Sequence, residues 1–242
     1  MERDTIYAGD PATDETPFEF SESVARVFPD MLRRSIPGYA ASLQAIESLA
    51  RRHVQQDSRC YDLGCSLGAA TLAMRHGIAA AGCRIVAIDN APAMVRRCRE
   101  IVDRDRGTVP VDIECADVRD TDIVDASMVV MNYTLQFVPQ GDRAALIERA
   151  AAGMRTGGAF VLSEKVVHED PTIEELLVEL HHDFKRQHAY SDLEISRKRA
   201  ALENVLIPET IGAHTDRLRQ AGFRHVGVWL RYFNFVSLVA IR

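Results

Sequence analysis

The chain encodes an α/β protein built on a mostly parallel seven-stranded sheet, and three observations carry that expectation. From residue 58 onward, short runs rich in Val and Ile alternate with amphipathic segments, the texture of βαβ units. The first run closes on Asp62-Leu-Gly-Cys-Ser-Leu-Gly68, where glycines permit a sharp strand-to-helix turn. The last two runs, HVGVWLRYF and FVSLVAI, follow each other with almost no chain between them, which fits an antiparallel pair at one sheet edge.

In chain order, residues 1–20 are polar and acidic, broken by Gly9, Pro11 and Pro17, and read as an extended or loosely ordered arm. Residues 21–56 form a helical cap. Its first helix, 21–34, carries Val24, Val27, Phe28 and Leu32 on one stripe; its second, 39–54, carries Leu43, Ile46, Leu49 and Ala50. Pro37-Gly38 separates them. The sheet domain, 57–242, has strands expected at 60–63, 84–89, 111–115, 127–132 and 159–163, with helices at 69–80, 91–104 and 141–154. A mainly helical insert, 165–222, precedes the final strand pair within 223–241.

Charge narrows the partners. The 242 residues hold 29 Lys and Arg against 35 Asp and Glu, a net of −6. Residues 1–30 hold eight acidic and two basic groups, so the remaining chain is neutral, with 27 of each. No broad basic face is available for nucleic acid. Direct nucleic-acid binding is therefore not expected. Five cysteines without ribbon spacing give neither a disulfide framework nor a zinc site, and reduced cytosolic thiols are the simplest reading. The N-terminus lacks the form of a signal peptide, and no apolar run reaches membrane-spanning length, so a cytoplasmic protein is expected.

The glycine loop lacks the pattern of dinucleotide enzymes, G-x-G-x-x-G, and the Lys and Ser/Thr of phosphate-binding loops. Alone it is compatible with a tight turn and no ligand. Asp89 ends the second strand, where a carboxylate with two acceptor oxygens can take both hydroxyls of a ribose. Asp89 or Asn90 can instead cap the helix that Pro92 opens, or both roles hold, with Asp89 on the sugar and Asn90 as the cap. Asp117 and Val118 follow the third strand, and Asn132 ends the fourth. His181-His182 point about 100° apart on a helix and make a poor metal pair, so no metal is expected. Cys65 is better explained as a small loop residue than as a nucleophile. Trp229, Tyr232, Phe233 and Phe235 are expected in the packing of the last two strands rather than as a stacking platform.

Acidic-x-Gly-x-x-x-Gly followed by polar strand ends in this order resembles the Rossmann-like class I S-adenosylmethionine-dependent methyltransferases. The fourth strand end lacks the Asn/Asp-Pro-Pro-Tyr/Phe of amide-nitrogen methyltransferases. The strings FPDMLRRSIPGY, YDLGCSLGAAT, AIDNAPAM, SMVVMNYTLQF, GGAFVLSEK, LHHDFKR, YSDLEISRKR, LENV and FNFVSLVA make the resemblance narrower. They run from about residue 18 to 241, insert included, and are similar to the carboxy-S-adenosyl-L-methionine synthase family.

That resemblance implies a reaction of S-adenosylmethionine with prephenate to give carboxy-S-adenosylmethionine, phenylpyruvate and water. A tRNA uridine carboxymethyltransferase would use the product to build the 5-oxyacetyl group of the wobble uridine. The resemblance also implies a homodimer. Residue by residue, it assigns Tyr39, Gly64, Cys65, Ser66, Asp89, Asn90, Asp117, Val118 and Asn132 to the S-adenosylmethionine site, and Arg199 to the transferred carboxylate. Without it, the basic stretch 185–199 reads as a solvated helix face. Tyr39 would likewise read as an amphipathic core tyrosine. The rival expectations are an ordinary methyltransferase acting on a small molecule or tRNA, and a non-catalytic cofactor-binding protein.

Overall fold

A computed structural model describes residues 2–8 and 18–242; Gly9, Pro11, Pro17 and the acidic groups Asp10, Asp14 and Glu15 of the expected arm lie outside the described residues. Two helices come first, α1 (Glu22–Ser35) and α2 (Tyr39–His53). Ser21 starts α1 by accepting the Val24 N–H, and Gly38, at φ +77°, turns the chain into α2. The sheet domain then runs β1 (Arg59–Leu63), α3 (Ala69–Gly77), β2 (Arg84–Asp89), α4 (Pro92–Arg104), β3 (Val111–Cys115), β4 (Ala126–Asn132), α5 (Gln140–Gly153) and β5 (Met154–Lys165). The insert supplies α6 (Pro171–Gln187), α7 (Asp192–Leu202) and α8 (Ile211–Gln220), and β6 (His225–Tyr232) and β7 (Phe235–Ile241) close the chain.

All seven strands form one sheet in the order β3-β2-β1-β4-β5-β7-β6. β1 to β5 are parallel, and β7 runs antiparallel between β5 and β6. The expected architecture is therefore the observed one. The order reverses between β1 and β4, and the carboxyl ends of the strands there frame the crevice in which such sheets hold ligands. Helix-covered β1 and β4 are buried almost throughout, whereas edge strand β3 alternates.

Four departures from the sequence reading each have a local reason. β5 extends well beyond 159–163, because Gly157, at φ +80°, sits in a register shift of the strand rather than ending it. α3 stops at Gly77, not residue 80; a Cβ there would stand 2.2 Å from the Glu47 carbonyl, so α2 packs against bare backbone. The stretch 185–199 is not one helix face but the end of α6, a turn through Ala189 at φ +62°, and most of α7, opened by a Ser191–Glu194 capping box. Of the four C-terminal aromatics, Phe235 is buried, but Tyr232 is 44% exposed because β6 is an uncovered edge.

Residues 2–8 and 18–20 of the N-terminal arm are less loose than its composition implies. Asp4 is 1% exposed and Phe18 is buried against α1 and α4 residues. No described helix is long and apolar enough to cross a membrane.

Candidate functional site

A large cavity of about 640 Å³ opens over the carboxyl ends of β1, β2, β4 and β5, roofed by α1, α6 and α7. The glycine loop forms its floor. Gly64 and Ser66 adopt φ +83° and +51°, and the N–H groups of Gly64 and Cys65 both donate to the Ile88 carbonyl at 2.8 Å. A Cβ on Gly64 would lie 2.3 Å from the Thr134 side chain, so this glycine lets β1 and the loop after β4 approach each other. The Cys65 thiol is buried and pushed well above its ordinary value, chiefly by its contact with Cys98 and by burial, which removes it as a nucleophile.

Asp89 fixes the loop from the second strand. Its Oδ2 accepts the Ser66 N–H at 2.8 Å and its Oδ1 accepts the Ala91 N–H at 2.9 Å. Burial raises its pKa against those two donors. Asn90 is not the cap: α4 begins after Ala91, whose side chain cannot cap, and Asp89 satisfies the Ala91 N–H instead. Each Asp89 oxygen keeps a second lone pair for a ligand hydroxyl.

Asp117 and Val118 stand on the cavity wall, as expected. Asp117 receives three bonds from Arg119, one from its backbone N–H and two from its guanidinium, which also reaches Asp142 at 2.8 Å. The guanidinium holds the Asp117 carboxyl below the usual range. Asn132 and Tyr39 line the same cavity; Tyr39 lies at the start of α2, its ring 6.3 Å from that of Tyr133.

Two buried acceptors test whether this floor fits S-adenosylmethionine. Asp62 Oδ1 and Asn132 Oδ1 have no hydrogen-bond partner, although the other Asp62 oxygen accepts the Thr71 hydroxyl at 2.5 Å. Unpaired buried acceptors are costly. An ammonium is the donor such acceptors call for, and burial has already raised Asp62 to about 7. With two acceptors for an ammonium, Asp89 for a ribose and Val118 beside Asp117 for a base, the residues fit that molecule.

The far wall was only partly legible in sequence. Lys165 at the end of β5, Lys185 on α6 and Lys198 and Arg199 on α7 all line the cavity. The side chains of Lys165, Lys185 and Arg199 make no hydrogen bond or salt bridge among the described residues. Burial, with Lys198, Lys165 and Arg199 as like-charged neighbours, lowers Lys185 to about 7. His181 is neutral: burial depresses it to about 2, and its Nε2 donates to the Ser35 carbonyl at 2.9 Å. Histidine 181 thus serves packing, its ring 4.8 Å from Phe235. No cluster suited to a metal occurs among the described residues.

Sequence reasoning also missed Glu164. It is fully buried and accepts the N–H groups of Leu135 and Gln136, each at 2.9 Å. The Gln136 side chain in turn accepts the Lys165 N–H at 3.0 Å. Tyr133 beside them adopts φ +64°. This clamp holds the loop after β4 under the cavity. The polar residue following an apolar strand run was its one sequence signal.

A methyltransferase-domain family model matches residues 61–158. A carboxy-S-adenosyl-L-methionine synthase of Trichlorobacter lovleyi is 52% identical over 240 residues, covering 99% of this chain and 98% of its own length. The protein of the same name from Aliivibrio fischeri is 53% identical over 239 residues, with the same coverage. Among solved structures, the S-adenosylmethionine-dependent methyltransferase SibL matches with a TM-score of 0.65 at 15% identity, over 100% of this chain and 63% of that one. The last likeness is one of fold.

Proposed function

The chain belongs to the carboxy-S-adenosyl-L-methionine synthase family, a family of transferases, and from that premise we propose that it carboxylates the methyl group of S-adenosylmethionine at the expense of prephenate. The observation that carries the proposal is the cationic wall facing the glycine loop across one cavity. Three cations that form no salt bridge among the described residues, Lys165 near Glu174, Lys185 and Arg199, match a substrate with two carboxylates. An ordinary methyl transfer requires no such wall.

When bound, S-adenosylmethionine supplies a methyl group acidified by the adjacent positive sulfur. Prephenate loses its ring carboxylate as carbon dioxide and its hydroxyl as hydroxide, driven by aromatisation to phenylpyruvate. The hydroxide takes one methyl proton and leaves as water, and the carbon dioxide is captured at the same carbon. The protein's part is positioning and charge stabilisation. Its phenols Tyr39 and Tyr133 are held protonated by burial, and His181 is too weak a base at about 2. Lys185 and Lys165 receive the prephenate carboxylates, and the arriving anion restores the proton that burial makes Lys185 lose. Arg199 offers a planar fork for the new carboxylate. The product then serves a tRNA uridine carboxymethyltransferase at the wobble position.

Incubation with S-adenosylmethionine and prephenate tests the reading. Phenylpyruvate should accumulate together with a nucleoside heavier than S-adenosylmethionine by one carbon dioxide. Intact prephenate and formation of S-adenosylhomocysteine would instead support an ordinary methyltransferase.

A further inference from the structure

The acidic N-terminal segment makes its tightest contacts with the cationic side of the site. Asp4 Oδ1 accepts the Ile6 N–H at 3.3 Å; its Oδ2 accepts the Tyr190 hydroxyl and lies 3.7 Å from Lys198 Nζ. Its backbone is tied as well, the N–H to Asp30 Oδ2 at 2.9 Å and the carbonyl to Arg34 at 3.1 Å. Arg34 continues into the α6–α7 turn, donating to the carbonyls of His188 and Ala189 at 2.7 and 2.6 Å and stacking 3.9 Å over the Tyr190 ring. Arg3 donates to the Ala189 carbonyl, and Arg197 on α7 donates to the Tyr7 carbonyl.

This network reaches the cavity in one further step. Lys198 Nζ donates to Ser35 Oγ at 3.0 Å, and Lys198 and Ser35 both line the cavity wall. Arg199 follows directly in sequence, and the Ser35 carbonyl also holds His181.

We propose that residues 2–8 are a working part of the anion pocket: Asp4 is a positioning residue, the buried counter-ion that keeps Lys198 charged and fixes α7 so that Arg199 faces the substrate. The proposal rests on the reading that this wall binds a dicarboxylate. A buried ammonium without a partner sheds its proton. Lys198 is lowered to about 8 even with Asp4 present; burial and Arg34 push it down, while Asp4 and Glu194 push it up. The groups facing it are Asp4 on the strap formed by residues 2–8, Arg34 and Ser35 on α1, Tyr190 in the turn, Glu194 on α7 and Lys185 on α6. Its own charge in turn helps lower Lys185. Neutralising Asp4 therefore moves the two lysines in opposite directions, Lys198 down and Lys185 up. Simple undocking of the strap would hydrate both and move both up.

Asp4→Asn keeps the size and removes the charge. Trace labelling with acetic anhydride from pH 6 to 10, read per lysine by peptide mass spectrometry, gives each titration midpoint without substrate. The expected result is a Lys198 midpoint lower by about one pH unit or more and a higher Lys185 midpoint. Prephenate KM should rise about tenfold, with the KM for S-adenosylmethionine unchanged. In a Lys198→Met background, Asp4→Asn should add little to the prephenate KM, since the charge it balances is gone. A Lys198 midpoint that stays or rises, or an equal cost of Asp4→Asn in both backgrounds, would overturn the proposal. A wild type inert to prephenate whose Lys198 midpoint still shifts in the variant would uphold the counter-ion and refute the dicarboxylate reading instead.

Discussion

Replacing Lys185 by Met should make the protein more stable and a worse enzyme. Lys185 is 8% exposed and has no salt-bridge partner, and its folded pKa falls from the ordinary 10.5 to about 7. At roughly 1.4 kcal/mol per pH unit, the charged form costs about 5 kcal/mol in the folded state, an order-of-magnitude figure. The sign follows from proton counting. Below pH 7 both states carry the proton and the penalty is complete. Between about 7 and 10.5 the unfolded chain holds a proton that the folded one releases, so wild-type stability rises with pH over that window. Methionine has nearly the same length and no charge to desolvate. Lys185→Met should therefore gain about 2–4 kcal/mol at pH 6, a gain that narrows as pH rises from 7 to 9. The same change removes one ammonium from the substrate wall. A carboxylate about 4 Å from it, at an effective dielectric near 20, interacts by about 4 kcal/mol before losses. A net of about 2–3 kcal/mol corresponds to a prephenate KM raised roughly 30- to 150-fold. Urea unfolding at pH 6 and 8.5 and steady-state kinetics check both halves. A variant less stable at pH 6, or one with an unchanged prephenate KM, would refute the reasoning.

Glu164→Gln turns one acceptor oxygen into an amide that faces a backbone N–H, so it should cost about 2–3 kcal/mol by thermal unfolding and lower kcat as the 133–137 loop shifts. Unchanged stability and kcat would remove the clamp from the argument. Gly64→Ala forces a side chain into positive φ and into Thr134, so calorimetry should find S-adenosylmethionine affinity down at least about tenfold. Arg199→Ala touches an exposed side chain without hydrogen bonds, so stability should stay within about 0.5 kcal/mol. Competitive binding should then show a diminished preference for carboxy-S-adenosylmethionine over S-adenosylmethionine, and an undiminished one would sink the role given to Arg199.

Strands buried on both faces write themselves into the sequence as continuous apolar runs, which is why β2 appears at its true limits and β1 and β4 within one residue, while edge strand β3 is marked by its apolar-polar alternation. The polar residues closing those runs were legible for the same reason. Asp89, Asp117 and Asn132 interrupt the apolar pattern where the strands open onto the cavity. Lys165 was hidden because the apolar run ends at Ser163, whereas β5 continues through the polar pair Glu164-Lys165. The burial of Asp4 was illegible for a different reason: its partners Asp30, Tyr190 and Lys198 are remote in sequence, and an isolated carboxylate in a polar arm gives no local sign of a tertiary counter-ion. Asn90 misled because capping preferences compete with geometry. Asp89 is placed to serve the loop and the helix start together.

The most direct test follows one carbon atom. Prephenate labelled with carbon-13 in its ring carboxylate, turned over with unlabelled S-adenosylmethionine, should place the label in the new carboxylate of the nucleoside product, with one labelled product formed per phenylpyruvate. Label released entirely as carbon dioxide, or a nucleoside product of S-adenosylhomocysteine mass, would contradict carboxyl transfer within this cavity.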